Sequence, residues 1–206
     1  ENPVRTMADV EKLRIPQMEE DVPYVLETLK ILRRELASKV PLIGFGGAPF
    51  TLACYMVEGK GSKDFAQIKR MMYAAPEVYG ALMEKITAMD KEYLNAQIRA
   101  GAQAIQIFDT WGGILSPADY AKFVLPYTTR LIDGLNRTDV PVIHFVKGAG
   151  AMLDIVKRAG GDVMGLDWHV NLGTARDILG TGMAVQGNLD PTVLFAPQET
   201  IEQEVK

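Results

Sequence analysis

Apolar residues recur along this chain with two spacings that alternate from segment to segment. Val22, Val25, Leu26, Leu29, Leu32 and Leu36 share one face at helical spacing and predict a helix over residues 22–37. Pro23 suits its first turn, where a missing N–H costs nothing. Pro41 ends that pattern, and residues 41–46 read as a buried strand broken by Gly46-Gly47-Ala48-Pro49. A short helix is predicted over 51–57, then a glycine loop over 58–62. Pro76 opens the longest helix, with Val78, Leu82, Ile86, Met89 and Tyr93 on one stripe and Gly101 as its stop signal. Further strands are predicted at 102–109, 140–146, 163–168 and 183–188. They are separated by helices at 117–136, 151–159 and 172–179, and a last helix starts near Pro197.

Strands that alternate with helices imply right-handed βαβ units and a parallel sheet. A doubly wound sheet and a (β/α)8 barrel both satisfy that rule, and two details favour the barrel. No strand runs into a Gly-x-Gly-x-x-Gly turn, the dinucleotide fingerprint. Polar residues also occupy one parity of the strands: Gln106 and Thr110, sharing a face with Phe108, on one, Gln186 and Asn188 on another. A barrel interior carries such groups towards its mouth, whereas a sheet covered on both faces is apolar throughout. The expectation is an α/β protein, an incomplete (β/α)8 TIM-like barrel with about five parallel βα units, forming a single domain over 1–206. Both ends read as severed: the chain opens without a strand before its first helix and stops within its last.

Composition narrows the function classes. A 206-residue chain that is 48% hydrophobic and 23% charged suits one globular domain with a sizeable core. No apolar run approaches the ~20 residues that span a bilayer. Glu1-Asn2-Pro3-Val4-Arg5-Thr6 lacks the layout of a signal peptide. The lone Cys54 leaves no internal disulfide, which fits a reducing, cytoplasmic setting. A net charge of -4 argues against a nucleic-acid binder that works by overall charge, although a local basic cleft remains compatible with it.

Barrel active sites lie at the C-terminal ends of the strands. Those ends carry Gly46-Gly47-Ala48-Pro49, Phe108-Asp109-Thr110-Trp111, Lys147-Gly148-Ala149-Gly150, Asp167-Trp168-His169 and Gly187-Asn188-Leu189-Asp190-Pro191. Glycine there allows a ligand close to the backbone, and is equally the ordinary turn residue. Asp109, Asp167 and Asp190 stand where aspartate usually caps or turns the chain. Lys147 reads as a solvated loop lysine, His144 as a satisfied core histidine and His169 as a surface loop residue. A zinc His-x-Cys pair would need cysteine where Val146 stands, so no metal site is expected. Pattern and composition alone name no reaction.

Taken together, Glu1–Thr6, Pro41-Leu42-Ile43-Gly44-Phe45-Gly46-Gly47-Ala48-Pro49-Phe50-Thr51-Leu52, Tyr55-Met56-Val57-Glu58-Gly59, Gly165-Leu166-Asp167-Trp168 and Gln186-Gly187-Asn188-Leu189-Asp190-Pro191 resemble the uroporphyrinogen decarboxylase family over essentially the whole chain. The resemblance implies a distorted (β/α) barrel, usually a homodimer. It implies cofactor-free removal of carbon dioxide from the four acetate side chains of uroporphyrinogen III, giving coproporphyrinogen III in porphyrin and haem biosynthesis. Its partner is then a small-molecule tetrapyrrole, with neither nucleic acid nor membrane. By the same resemblance Tyr55 and Thr110 contact substrate carboxylates, Phe108 walls the pocket and Gly47 lets the backbone approach the macrocycle.

The resemblance also places the family's essential aspartate and arginine loop before residue 1 and a C-terminal histidine beyond Lys206. No residue here is assigned as catalytic, and the 206-residue chain alone is expected to be inactive. Two other readings compete: a zinc- or corrinoid-linked methyltransferase of the same barrel superfamily, and a non-catalytic truncated barrel core.

Overall fold

The computed structural model describes residues 2–37, 39–59 and 62–206. Glu1 of the opening segment and Lys60-Gly61 of the glycine loop lie outside the described residues. Three helices come first, α1 (Met7–Lys12), α2 (Met18–Asp21) and α3 (Pro23–Leu36). There follow β1 (Ile43–Gly47), α4 (Pro49–Glu58), α5 (Ala66–Ala74), α6 (Pro76–Arg99) and β2 (Ala104–Asp109). A helical turn α7 (Pro117–Asp119) passes through a π-helical stretch, Tyr120–Val124, into α8 (Leu125–Asp133). The remainder is β3 (Val142–Val146), α9 (Leu153–Val156), β4 (Val163–Gly165), α10 (Leu172–Leu179), β5 (Ala184–Gln186) and α11 (Gln198–Val205).

The five strands form one sheet in the order β1-β2-β3-β4-β5, every neighbouring pair parallel. Sequential order decides between the two candidate folds. A doubly wound sheet reverses its order at a switch point, whereas a barrel adds each strand beside the last. With right-handed crossovers, sequential addition puts all the connecting helices on one face. This is five strands of a (β/α) barrel, as expected from the sequence.

The two faces are read from the register. Ile105, Ile107 and Asp109 of β2 align with Val142, His144 and Val146 of β3, and these face the helices. All six are buried, with Ile105 and Ile107 wholly so. Against them pack Leu82, Met83, Ile86 and Leu94 of α6 and Leu131 and Ile132 of α8, within one continuous core. The predicted α6 stripe is largely realised: Val78, Leu82 and Ile86 are buried, while Met89 and Tyr93 bridge to a smaller cluster. That cluster holds Leu26 and Leu29 of α3, but Leu32, expected on the same buried face, is 39% exposed. α3 is an outer helix that covers one flank of α6, so only the centre of its stripe is enclosed.

The opposite, inner face carries Phe45 of β1, Gln106 and Phe108 of β2 and Phe145 of β3. β1 and β5 are the outer strands. At β1 the outer edge is partly satisfied from α6: the buried Gln97 amide accepts from Phe45 N–H at 2.9 Å and donates to Phe45 C=O at 2.8 Å. Gln97→Leu leaves both backbone groups bare on an edge strand. It is expected to lower unfolding free energy by about 1–3 kcal/mol and to promote self-association. Denaturant titration and sedimentation velocity check this; a monomer of wild-type stability would show the edge covered by other means.

Candidate active site

Alternation within β2 sends Phe108 to the inner face and Asp109 to the helices, and the chain leaves the strand at Thr110. Phe108 lies edge-to-face between two other rings. Its centroid is 6.1 Å from that of Phe45 on β1 and 6.0 Å from that of Phe145 on β3. The three rings make an aromatic row across the inner face, and Phe45 is 61% exposed. Phe45 and Phe145 were not singled out from the sequence. The parity that marked Gln106, Phe108 and Thr110 would have found them if applied to β1 and β3 together with the register.

α4 begins at the C-terminal end of β1 because Pro49 is favourable at a first helical position and Ala48 before it is extended. The entry is pinned to β2, with Ala48 N–H donating to Phe108 C=O at 2.8 Å. Two turns on, Tyr55 stands half exposed with its ring edge-on to Trp111, centroids 6.2 Å apart. Trp111 also packs on the buried Phe65 at 4.6 Å. Tyr55 and the half-buried Thr110 are thus joined at the rim through Trp111, the residue after Thr110. Gly47, in register with Phe108, has a packing reason for lacking a side chain: a Cβ there would lie 2.8 Å from Leu52 Cδ2.

The other strand-end residues divide by face and loop. Asp167 accepts from Gly148 N–H, and from His169 N–H at 2.9 Å, so it ties the loop after β3 to the turn after β4. Asp190 accepts from Thr192 N–H at 2.9 Å. Both are the turn formers their positions suggested. Lys147 is not a freely solvated loop lysine: it is half buried, with Nζ 5.5 Å from the Trp168 ring centroid, a cation–π contact. His169 is a surface residue, its Nδ1 3.2 Å from Asp167 Oδ1. A cavity of about 490 Å³ lies beside these loops, lined by Trp168, Gly187, Asn188 and Asp190 among others.

His144 corrects one expectation. It is in the core, but unsatisfied: neither ring nitrogen has a hydrogen-bond partner, and burial lowers its pKa to about 4. It faces the helices together with Val146, away from the inner face, and Cys54 is likewise wholly buried. His144, the histidine of the zinc His-x-Cys pair that lacks its cysteine at Val146, therefore points away from the inner face. Among the described residues no group of three His, Cys, Asp or Glu side chains is placed to hold a metal ion. Nor is any helix among them long and apolar enough to cross a membrane.

Parallel strands in sequential order, helices on one face and an aromatic inner face ending in hydroxyl-bearing loops define a (β/α)-barrel enzyme of the TIM type. Comparison with known proteins supplies the particular family. The family profile described as Uroporphyrinogen decarboxylase (URO-D) matches residues 1–206. Uroporphyrinogen decarboxylases from Geotalea daltonii and Geobacter sulfurreducens are 85% and 82% identical over all 206 residues. The chain belongs to the uroporphyrinogen decarboxylase family. It spans 60% of the first relative's length and 61% of the second's. Among solved structures, a methyltransferase from Methanosarcina mazei superposes with a TM-score of 0.83 at 20% identity, over 95% of this chain and 58% of that one. That likeness concerns the fold.

Proposed function

We propose that these 206 residues are one domain and form the central part of a uroporphyrinogen decarboxylase barrel. The complete protein removes carbon dioxide from the four acetate side chains of uroporphyrinogen III without a cofactor, yielding coproporphyrinogen III. The observation that carries this reading, beside family membership, is the row of Phe45, Phe108 and Phe145 across the inner face. Three edge-to-face rings make an apolar bed for a pyrrolic macrocycle. The hydroxyls of Tyr55 and Thr110 at its rim would meet the peripheral carboxylates, with Phe108 as wall and Gly47 beside it.

Decarboxylation leaves an electron pair that needs a sink. A protonated pyrrole provides one, and a carboxylate aimed at the pyrrole N–H groups stabilises that cation in a dry pocket. Arginines clamp the substrate carboxylates bidentately. On this reading those charged groups come from barrel segments that flank the chain, and residues 1–206 supply the apolar floor and the polar rim. A homodimer working in the cytoplasm, without nucleic-acid or membrane partners, completes the proposal. Tyr55→Phe in the full-length protein is expected to lower kcat/KM about 10- to 100-fold, the loss of one hydrogen bond to a charged group. Steady-state kinetics with uroporphyrinogen decide it; unchanged constants would reduce Tyr55 to a packing partner of Trp111.

A further inference from the structure

Behind the rim lies a carboxyl group with no part in the reading above. Asp109 is wholly buried on the helix side of β2. Its Oδ1 accepts from Thr51 Oγ1 at 2.7 Å, and the same hydroxyl oxygen accepts from Trp111 N–H at 3.1 Å. Thr51 is in the first turn of α4, one helical turn before Tyr55, and Trp111 follows Thr110. Gly112 lets the turn close down on the carboxyl: a Cβ there would stand 2.7 Å from Asp109 Oδ2 and 2.7 Å from Val146 Cγ1. The π-helical stretch begins at the wholly buried Tyr120, whose hydroxyl is turned to the same carboxyl. Asp109 Oδ2 and Tyr120 Oη nevertheless lack a hydrogen bond of good geometry, so Thr51 is the anchoring contact.

The geometry points to Asp109 as a positioning residue that, through Thr51, fixes the helix bearing Tyr55 against the turn bearing Thr110. This rests on the proposed role of those two hydroxyls. Beyond the β1–β2 ladder, the Ala48 N–H to Phe108 C=O bond pins only the entry to α4, and the Tyr55–Trp111 contact is a ring edge at the surface, so the buried Asp109–Thr51–Trp111 links are the hydrogen bonds that carry the spacing further into the helix and the turn. Asp109 acts by accepting a hydrogen bond, not by its charge or by contact with substrate. An amide, whose oxygen accepts equally well and whose N–H₂ can donate to Tyr120, should therefore replace it.

The test uses the full-length enzyme, with kinetics referred to folded protein. Asp109→Ala is expected to lower kcat/KM about 10- to 100-fold, the effect of a sub-ångström to ångström displacement at the rim. Asp109→Asn should stay within about threefold of wild type, since the accepting oxygen remains. Thr51→Val should resemble Asp109→Ala, and the double variant should be no worse, because one linkage is lost only once. Trp111 emission, taken as the difference from the matching Trp111→Phe protein, should move to longer wavelength in the Ala and Val variants but not in Asp109→Asn.

An Asn variant as impaired as Ala would overturn the proposal and make the carboxyl itself a reacting group. So would unchanged kinetics and emission in Asp109→Ala. Should Asp109→Ala fail to fold, Thr51→Val decides on the same two readouts. If the wild-type enzyme does not decarboxylate uroporphyrinogen, the functional reading falls, and Trp111 emission still decides the linkage.

Discussion

Purified residues 1–206 alone are expected to release no carbon dioxide from uroporphyrinogen above background, with turnover returning when the flanking barrel segments are joined or supplied in trans. Along the inner face and its rim, strand by strand, the aromatic and polar side chains are Phe45, Gln106, Phe108, Thr110, Phe145 and Gln186, beside the aliphatic Ile43, Ile143 and Val163, with Tyr55 and Lys147 nearby. Lys147 is the cation among them, and it is already engaged with Trp168. That is too little positive charge to gather a polycarboxylate, and none of these side chains is an acid able to stabilise a protonated pyrrole. Removal of one preorganised electrostatic stabiliser commonly costs ~10²–10³ in rate. Here several would be missing at once, together with the contacts that orient the substrate. Product chromatography after prolonged incubation makes the measurement. Turnover by residues 1–206 comparable to that of a full-length relative would place a reacting acid within the chain, and Asp109 and Asp167 would be the first to replace.

The second large effect is on stability. Wild type, Asp109→Asn and His144→Leu should diverge as pH changes, in opposite directions. Burial lowers the His144 pKa from 6.5 to about 4. Between those values the unfolded chain holds a proton that the folded one does not. The stability associated with His144 is therefore complete above pH 6.5 and is lost as pH falls towards 4, by about 3 kcal/mol. Burial raises the Asp109 pKa from 3.8 to about 6, against the hydrogen bonds that favour its anion. Between those values the folded chain holds the extra proton, so stability falls as pH rises from 3.8 towards 6, again by about 3 kcal/mol.

The two slopes overlap and offset one another in wild type. Asp109→Asn exposes the histidine slope: relative to wild type it should gain about 3 kcal/mol as pH rises from about 4 to about 7. His144→Leu exposes the aspartate slope: relative to wild type it should gain a similar amount as pH falls from about 7 to about 4. Asp90, also raised by burial, is present in all three proteins and drops out of the differences. Cys54, Tyr79 and Tyr120 around Asp109 are all pushed upward and do not titrate in this window. Denaturant unfolding at several pH values provides the curves. Parallel curves for the three proteins would mean that neither group is held out of water in solution.

Those two residues also mark where sequence reading stops. The five strands lie at the places predicted, each shortened by one to several residues, because a run of β-branched and apolar residues between turn formers is a local signal. The helices at Pro23 and Pro76 were equally legible from proline at the first turn and apolar spacing, and the helix expected over 51–57 starts two residues earlier, at a Pro49 that had read only as the strand's breaker. α1, α2 and α5 were not. α1 and α2 are short and each buries a single side chain, Val10 and Met18. α5 follows the glycine loop with no cap from its own N-cap residue Phe65; Glu58, nine and ten residues earlier, accepts from Gln67 N–H and Ile68 N–H instead, and packing on α4 and α6 sets its register. The five-residue π-helical stretch at Tyr120 lay inside a segment read simply as helical.

What the sequence by itself determined is the set of parallel βα units, the parity that sends Phe108 and Thr110 one way and Ile107 the other, and the strand ends that carry chemistry. These depend on periods of 2 and 3.6 residues and on turn residues, all contained within a few positions. What only the tertiary structure decided is which side of each strand became the inner face and which groups were enclosed behind it. Phe45 and Phe145 became site candidates when the register set them beside Phe108. Gln97 came to serve the edge of β1 across 52 residues, and Thr51 came to Asp109 across 58. Asp109 at a strand end looked like a turn former and proved a buried anchor, and His144 was enclosed without a partner. Burial and hydrogen bonding of a polar group depend on what distant elements bring to it, and no local window of sequence contains that information.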